Sequence, residues 1–188
     1  YIIDMKTSYL FLSNGFEEIE AVTIIDILRR AKIDLKIVSM GEERAVIGEH
    51  GITLMADVLY SKTKWDNSEF FILPGGIGST KDLFMNDSLK MDILEHYNQG
   101  RYIAAIGESP AILGELGILN EKNATALPAY MNFLQGATYT GLPIEIQDNV
   151  ITGRGAADSL KFAIGIVSML KGKDVADDVS KELLLIVG

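Results

Sequence analysis

The chain has 188 residues, a formal net charge of −9 at neutral pH and no cysteine, which excludes a disulfide framework, thiolate chemistry and sulfur-ligated metal. Its lysines and arginines are scattered, so it offers no basic face to a nucleic-acid backbone, and no apolar run reaches the ~20 residues of a membrane-spanning helix. With 48% hydrophobic residues and nothing resembling a signal peptide, the expectation is one cytoplasmic domain over residues 1–188 with a single core, residues 1–4 reading as an upstream extension ahead of Met5.

Tyr9–Leu12 reads as a buried strand, and Asn14-Gly15 turns into a helix over about Glu17–Ala31, with Ile19, Val22, Ile25 and Leu28 at helical spacing. Leu35–Met40 is the second strand. Ala45–Leu59 alternates and contains Gly48 and Gly51, which suggests short antiparallel strands at a sheet edge. Trp65 stands alone in a polar loop, KTKWDNSE. Phe70–Leu73 is a central strand followed by the glycine-rich PGGIGST, then by helices at Lys81–Phe84 and Ser88–Asn98, the second capped by Asp87. Ile103–Ile106 is a strand that stops on Gly107, and Pro110 opens a helix ending near Gly117. Asn123–Leu127, Glu145–Gln147 and Val150–Thr152 read as strands. The last helix, about Ala156–Leu170, is apolar nearly all round and needs cover on more than one side, part of which another subunit can supply. Short apolar runs alternating with helices indicate an α/β fold with a mostly parallel sheet.

Three places carry candidate chemistry. Glu17, Glu18 and Glu20 fall in one helical turn, where acids complement the helix dipole, the expectation for Glu17 and Glu18. Gly75, Gly76 and Gly78 follow a strand directly; such a turn either aims backbone amides at an anion or oxyanion, or is simply tight. In IAAIGESP a strand turns at once into a helix, holding the intervening residues over the carboxyl end of the sheet. Gly107-Glu108-Ser109 approximates a serine nucleophile elbow, but both histidines, His50 and His96, precede Ser109, so Ser109 reads as a helix-start residue. His96, in LEHYN, reads as a solvated surface residue. Two distant histidines without cysteine leave only carboxylates for a metal, and neither the methionines nor Trp65 make a cofactor box, so no metal and no cofactor are expected.

GFEEIEA at 15–21, ILPGG at 72–76, IAAIGESP at 103–110 and ITGRGAADSLKFAIGIV at 151–167 occur together in an order that resembles the ThiJ/PfpI family of the class I glutamine amidotransferase-like superfamily, from about Ser8 to the C-terminus. The resemblance implies a flavodoxin-like three-layer α/β sandwich with a mostly parallel central sheet, and a homodimer. It aligns Gly107 with the family's nucleophilic cysteine and Leu127 with a histidine that many members place before a proline. Glu20 corresponds to the pocket acid, whose partial burial would raise its pKa. The amides of Gly75 and Gly76 face the nucleophile corner, and His50 falls near the pocket rim. Activity of ordinary members on small carbonyl compounds, as hydrolase, glyoxalase or deglycase, depends on the missing cysteine. The chain therefore reads as a non-catalytic or divergent member that binds a small carbonyl or carboxylate metabolite or a protein partner. The alternative is an enzyme using Glu20, with Glu108, as general acid or base.

Overall fold

The computed structural model describes residues 6–185; the extension expected at residues 1–4 lies outside them. In chain order the elements are β1 (Thr7–Leu12), α1 (Glu18–Arg30), β2 (Leu35–Ser39), β3 (Ala45–Ile47), β4 (Thr53–Met55), β5 (Val58–Leu59), β6 (Ser68–Leu73), α2 (Ile77–Met85) and α3 (Asp87–Asn98). They continue with β7 (Tyr102–Ile106), α4 (Pro110–Glu115), β8 (Asn123–Ala124), β9 (Thr138–Tyr139), β10 (Ile144–Gln147), β11 (Val150–Gly153), α5 (Ser159–Lys171) and α6 (Lys173–Glu182).

Seven strands form one sheet in the order β10-β11-β7-β6-β1-β2-β5, parallel except for β10. The central strands are almost wholly apolar because both of their faces are covered. Their side chains alternate between two cores. Leu10, Leu12, Phe70, Ile72, Ala104 and Ile106 join α1, α5 and α6 on one face, while Phe11, Phe71, Leu73, Ile103 and Ala105 join α2, α3 and α4 on the other. This is the three-layer, mostly parallel sandwich implied by the motifs.

Several local expectations are corrected. β3 and β4 are antiparallel but pair only with each other, and the edge of the main sheet is β5, parallel to β2. The run 123–127 is strand only at β8, which pairs with β9 in a separate two-stranded sheet. Asn86, not Asp87, caps α3, its Oδ1 accepting from the Leu89 amide at 2.9 Å. On α1 the buried stripe is Ala21, Ile24, Ile25, Ile27 and Leu28, whereas Ile19 and Val22 are exposed. The final helical run begins as a 3-10 turn at Ala156–Asp158 before α5, and α6 follows it. Pairing with α1, α6 and β11 covers most of the apolar circumference of α5 within one chain. Trp65 is not isolated: its ring meets those of Tyr9, Phe11, Tyr60 and Phe71, and its Nε1–H donates to Asp92 at 2.9 Å.

Candidate functional site

From β1 the chain winds outward to β2 in one direction and later to β6 and β7 in the other, so the loops after β1 and β6 diverge at the carboxyl ends of the strands. Such a switch point is where open α/β sheets bind ligands. Three of the motifs meet there: the start of α1 after β1, the glycine turn after β6, and the corner after β7.

Gly76 caps α2 with φ +99°, a conformation that favours glycine, and a Cβ at this position would collide with the backbone of Gly15, Phe16 and Glu17. Gly75 O accepts the Glu17 amide at 2.9 Å, so this close approach ties the glycine turn to the start of α1. Glu20, 2% exposed, is thereby brought beneath the turn, and its Oε2 accepts the Gly75 N–H at 2.6 Å. Glu108, one residue past the corner and 8% exposed, accepts the Gly76 N–H at 2.9 Å. The two carboxyl groups flank Gly75 so closely that a Cβ there would overlap the Oε2 atoms of both. The Gly75 and Gly76 amides, which the glycine pattern could offer to an outside anion, are therefore taken by the protein's own acids.

Gly107 sits at the corner with φ +69°, the left-handed backbone that a strand-to-helix elbow imposes on its tip. A Cβ at Gly107 would lie 2.8 Å from Glu20 Oε1 and 3.1 Å from Oε2. The Glu20 carboxyl thus reaches into the space where a side chain at this corner would begin. Burial pushes the Glu20 pKa up to about 8, opposed by the Gly75 amide and reinforced by the negative charges of Glu108 and Glu17. At neutral pH it is chiefly the uncharged acid. With Oε2 accepting from Gly75, the proton is assigned to Oε1, the oxygen turned toward Gly107.

The sequence-derived candidates Glu20, Gly75, Gly76, Gly107 and Glu108 converge here. Leu127 adjoins them through its amide, which donates to Gly107 O at 2.9 Å, and its half-buried side chain brings no base. Ser109 is buried and structural: its hydroxyl donates to Pro74 O at 2.6 Å and lies 3.1 Å from Thr80 Oγ1. His50 is exposed and engages Glu18, not Glu20; its Nδ1 lies 2.8 Å from Glu18 Oε2, and its amide donates to Oε1 at 2.6 Å. Glu18, expected to be a dipole-complementing surface acid, is buried. Its desolvation acts upward, but hydrogen bonds from the His50 ring and from main-chain amides win and hold its pKa below the usual range. That of His50 is raised in return.

Glu17, Glu18 and His50 also offer ligand atoms within 4.8 Å of one another. Glu17 Oε1 caps α1 by accepting from the Ile19 amide at 3.0 Å, so hydrogen bonds already account for the group. His96 is far from this site and buried, contrary to the surface position expected for it. Its ring stacks on Phe71 with centroids 3.8 Å apart. The LEHYN pattern hid this because the polar neighbours of His96 point outward.

A family model described as the DJ-1/PfpI family matches residues 6–169. The chain belongs to the DJ-1/PfpI family. It is 34% identical to Protein DJ-1 homolog A of Arabidopsis thaliana over 183 residues, covering 96% of this chain and 47% of that protein. It is 29% identical to Protein dj-1beta of Drosophila melanogaster, covering 96% and 97% of the two chains. Among solved structures, oxidized Toxoplasma gondii DJ-1 superposes with a TM-score of 0.91 at 27% identity, covering 96% of this chain and 99% of that one. The chain spans less than half the length of the two Arabidopsis relatives it matches. Among the described residues, no helix is long and apolar enough to cross a membrane.

Proposed function

We propose that this DJ-1/PfpI domain works without a nucleophile and binds a small uncharged carbonyl compound through the protonated carboxyl of Glu20. One observation carries the reading. Glu20 Oε1 stands in the space over Gly107 while Oε2 is anchored on the Gly75 amide. A neutral acid held this way is a preorganised hydrogen-bond donor to a carbonyl oxygen. A relative of 24% identity is named a deglycase, from Pyrococcus horikoshii, which fits carbonyl ligands in general; here the corner residue can form no covalent bond to them. A carboxylate ligand fits less well, because it would meet the charge of Glu108 on an amide already engaged. The proposed setting is the cytoplasm, a reducing compartment in which a domain gains nothing from disulfides.

The test is binding of hydroxyacetone measured by saturation-transfer NMR. Binding is expected in the wild type, fading as pH rises through about 8 and absent in Glu20→Leu. Binding that ignores both pH and Glu20→Leu overturns the proposal, as does steady consumption of methylglyoxal by Glu20→Leu.

The facing pair Glu20 and Glu108 also supports a second reading, acid–base catalysis. Glu20 would donate its proton to the carbonyl oxygen as Glu108 takes one from the adjacent carbon, giving an enol that returns by the reverse transfers. In heavy water this exchanges hydroxyacetone C–H for C–D. Exchange lost in Glu108→Gln marks catalysis, whereas binding without exchange marks a receptor.

A homodimer belongs to the same proposal. Ile19 and Val22 on α1 are exposed together with Ile47, Ile52 and Met55 of the β3–β4 hairpin, which is tied to the start of α1 by Gly15 N–H to Ile47 O at 2.7 Å and Glu49 N–H to Phe16 O at 2.9 Å. This patch, rather than α5, is the surface for a second copy. Light scattering of wild type and Val22→Glu tests it: a dimer that Val22→Glu dissociates is expected, and a monomeric wild type refutes it.

A further inference from the structure

Where α2 and α4 begin, next to the main chain of Gly76 and Glu108, lies a cleft of about 280 Å³ whose lining is mainly apolar. Its walls come from α2, through Ile77, Phe84 and Met85, and from the 3-10 segment Pro128–Phe133, through Tyr130 and Phe133, with Ala111 of α4 also lining it. Ile77, Met85 and Phe133 are 59%, 71% and 50% exposed, an unusual cost for large apolar side chains drawn around one depression. Three links join the cleft to the site. Ile77 follows Gly76, whose amide holds Glu108 Oε2. Ala111 follows Glu108 by one helical turn, its amide bonded to Glu108 O at 3.1 Å. The charges of Glu108 and Glu49 reach the Tyr130 hydroxyl and reinforce the upward push of its burial.

We infer that the ligand is a carbonyl compound bearing an apolar group of about the size of an aromatic ring, with its oxygen on Glu20 and its apolar group in this cleft. The inference rests on the carbonyl reading above and narrows it. The size follows from the volume, which is just under the roughly 300–1,000 Å³ of ordinary small-molecule pockets and holds one ring rather than an extended molecule. The charge preference follows from position. A ligand spanning Glu20 and the cleft passes Glu108, and Glu49 and Glu17 lie nearby as further negative groups. Lys81 also lines the cleft, on the exposed face of α2, so its ammonium is solvated and screened. An anionic group placed next to the carbonyl, as in a 2-oxo acid, meets like charge where a methyl or hydrogen does not.

The experiment compares three probes on the wild type, Ile77→Trp and Glu20→Leu by ligand-observed NMR titration: acetone, acetophenone and benzoylformate. Ketones are used because they form few adducts with lysine. In the wild type acetophenone is expected to bind at least about tenfold more tightly than acetone, because of the ring buried in the cleft, and at least about tenfold more tightly than benzoylformate. Ile77→Trp, a change at an exposed position that fills the mouth of the cleft, should remove most of the advantage of acetophenone and leave acetone unchanged. Equal binding of acetone and acetophenone, or an acetophenone affinity untouched by Ile77→Trp, overturns the cleft assignment. If acetophenone keeps its advantage in Glu20→Leu and loses it in Ile77→Trp, the cleft stands and the Glu20 reading falls. Loss of all ketone binding in Glu20→Leu with no preference for the ring does the opposite. Tighter binding of benzoylformate than of acetophenone overturns the charge preference.

Discussion

Two buried titratable groups, His96 and Glu20, are held in opposite ways at the two ends of the sheet. At the amino end, His96 has a partner for each ring nitrogen: Nε2 donates to Tyr102 O at 2.9 Å, and Nδ1 lies 3.1 Å from Ser68 Oγ. Arg101 closes the network by donating to Trp65 O, Asp66 O and Ser68 Oγ at 2.9, 3.0 and 2.7 Å. At the carboxyl end, Glu20 has one oxygen anchored on an amide and the other turned to the side-chain-free corner at Gly107. Burial moves both groups away from their charged forms, His96 down to about 4 and Glu20 up to about 8. The contrast separates frame from site. His96, with both ring nitrogens engaged, holds elements in place, whereas Glu20, anchored through one oxygen beside the switch point, is the group on which the proposed ligand binding depends.

The most damaging way to break the contrast is Gly76→Ala. Its Cβ would strike backbone atoms of Gly15, Phe16 and Glu17 at φ +99°, and no flexible side chain can yield. A loss of about 3 kcal/mol or more is expected in urea denaturation, together with ligand binding, because the turn that seats Glu20 and Glu108 is displaced.

Next is His96→Ala, which removes a ring stacked on Phe71 and leaves Tyr102 O without its donor. A loss of about 2–4 kcal/mol follows, with little effect on the distant carboxyl end. The pH dependence sharpens this. The His96 pKa is depressed from 6.5 to about 4, through burial first and the Arg101 charge next, so below pH 6.5 the unfolded chain binds the proton more readily. The stability contributed by the neutral ring is complete above that value and is lost as pH falls toward 4. Urea midpoints across this range should fall less steeply for His96→Ala than for the wild type. A parallel acid limb would place the acid sensitivity elsewhere.

Glu20→Gln should act in the opposite direction and through the opposite limb. Because the folded pKa of about 8 exceeds the ordinary 4.5, the folded form holds its proton longer than the unfolded chain. The penalty for burying this acid is absent below pH 4.5, grows as pH rises and is complete above 8. Glu20→Gln is therefore expected to match the wild type at the acid end and to exceed it at the alkaline end by on the order of a few kcal/mol. A variant that melts lower at every pH would make Glu20 a structural acid, like His96 at the other end.

The smallest effect is expected from His50→Ala at the rim. The Glu18 carboxyl keeps the His50 main-chain amide but loses the ring, so its pKa should rise toward the ordinary value in an NMR titration while the thermal midpoint barely changes. An unmoved Glu18 pKa would show that main-chain amides alone hold it down.

Period and punctuation made much of the molecule legible without coordinates. The near-continuous apolar runs around Leu10, Phe71 and Ala104 read as strands covered on both faces, and the glycine turn at 74–78 and the strand-to-helix corner at 103–110 marked the carboxyl ends of strands, where open α/β sheets bind ligands. Convergence of Glu20, Gly75, Gly76 and Gly107 was implied by the resemblance to the ThiJ/PfpI family that those motifs carry, not by their spacing. The environments of single polar side chains did not follow. Glu17, Glu18 and Glu20 look alike within one helical turn, yet one caps the helix, one is buried against His50 and one is buried under the glycine turn. His96 and Trp65, each set among polar neighbours, lie in aromatic packing. The helix after Gly172 and the separate pairing of β3 with β4 were likewise invisible, because both depend on surfaces offered by distant parts of the chain. Local spacing decides which face of an element a residue occupies. What covers that face, and so whether a carboxyl keeps its proton or an amide remains free for a ligand, is decided by long-range packing that brings residues 20, 75 and 107 together.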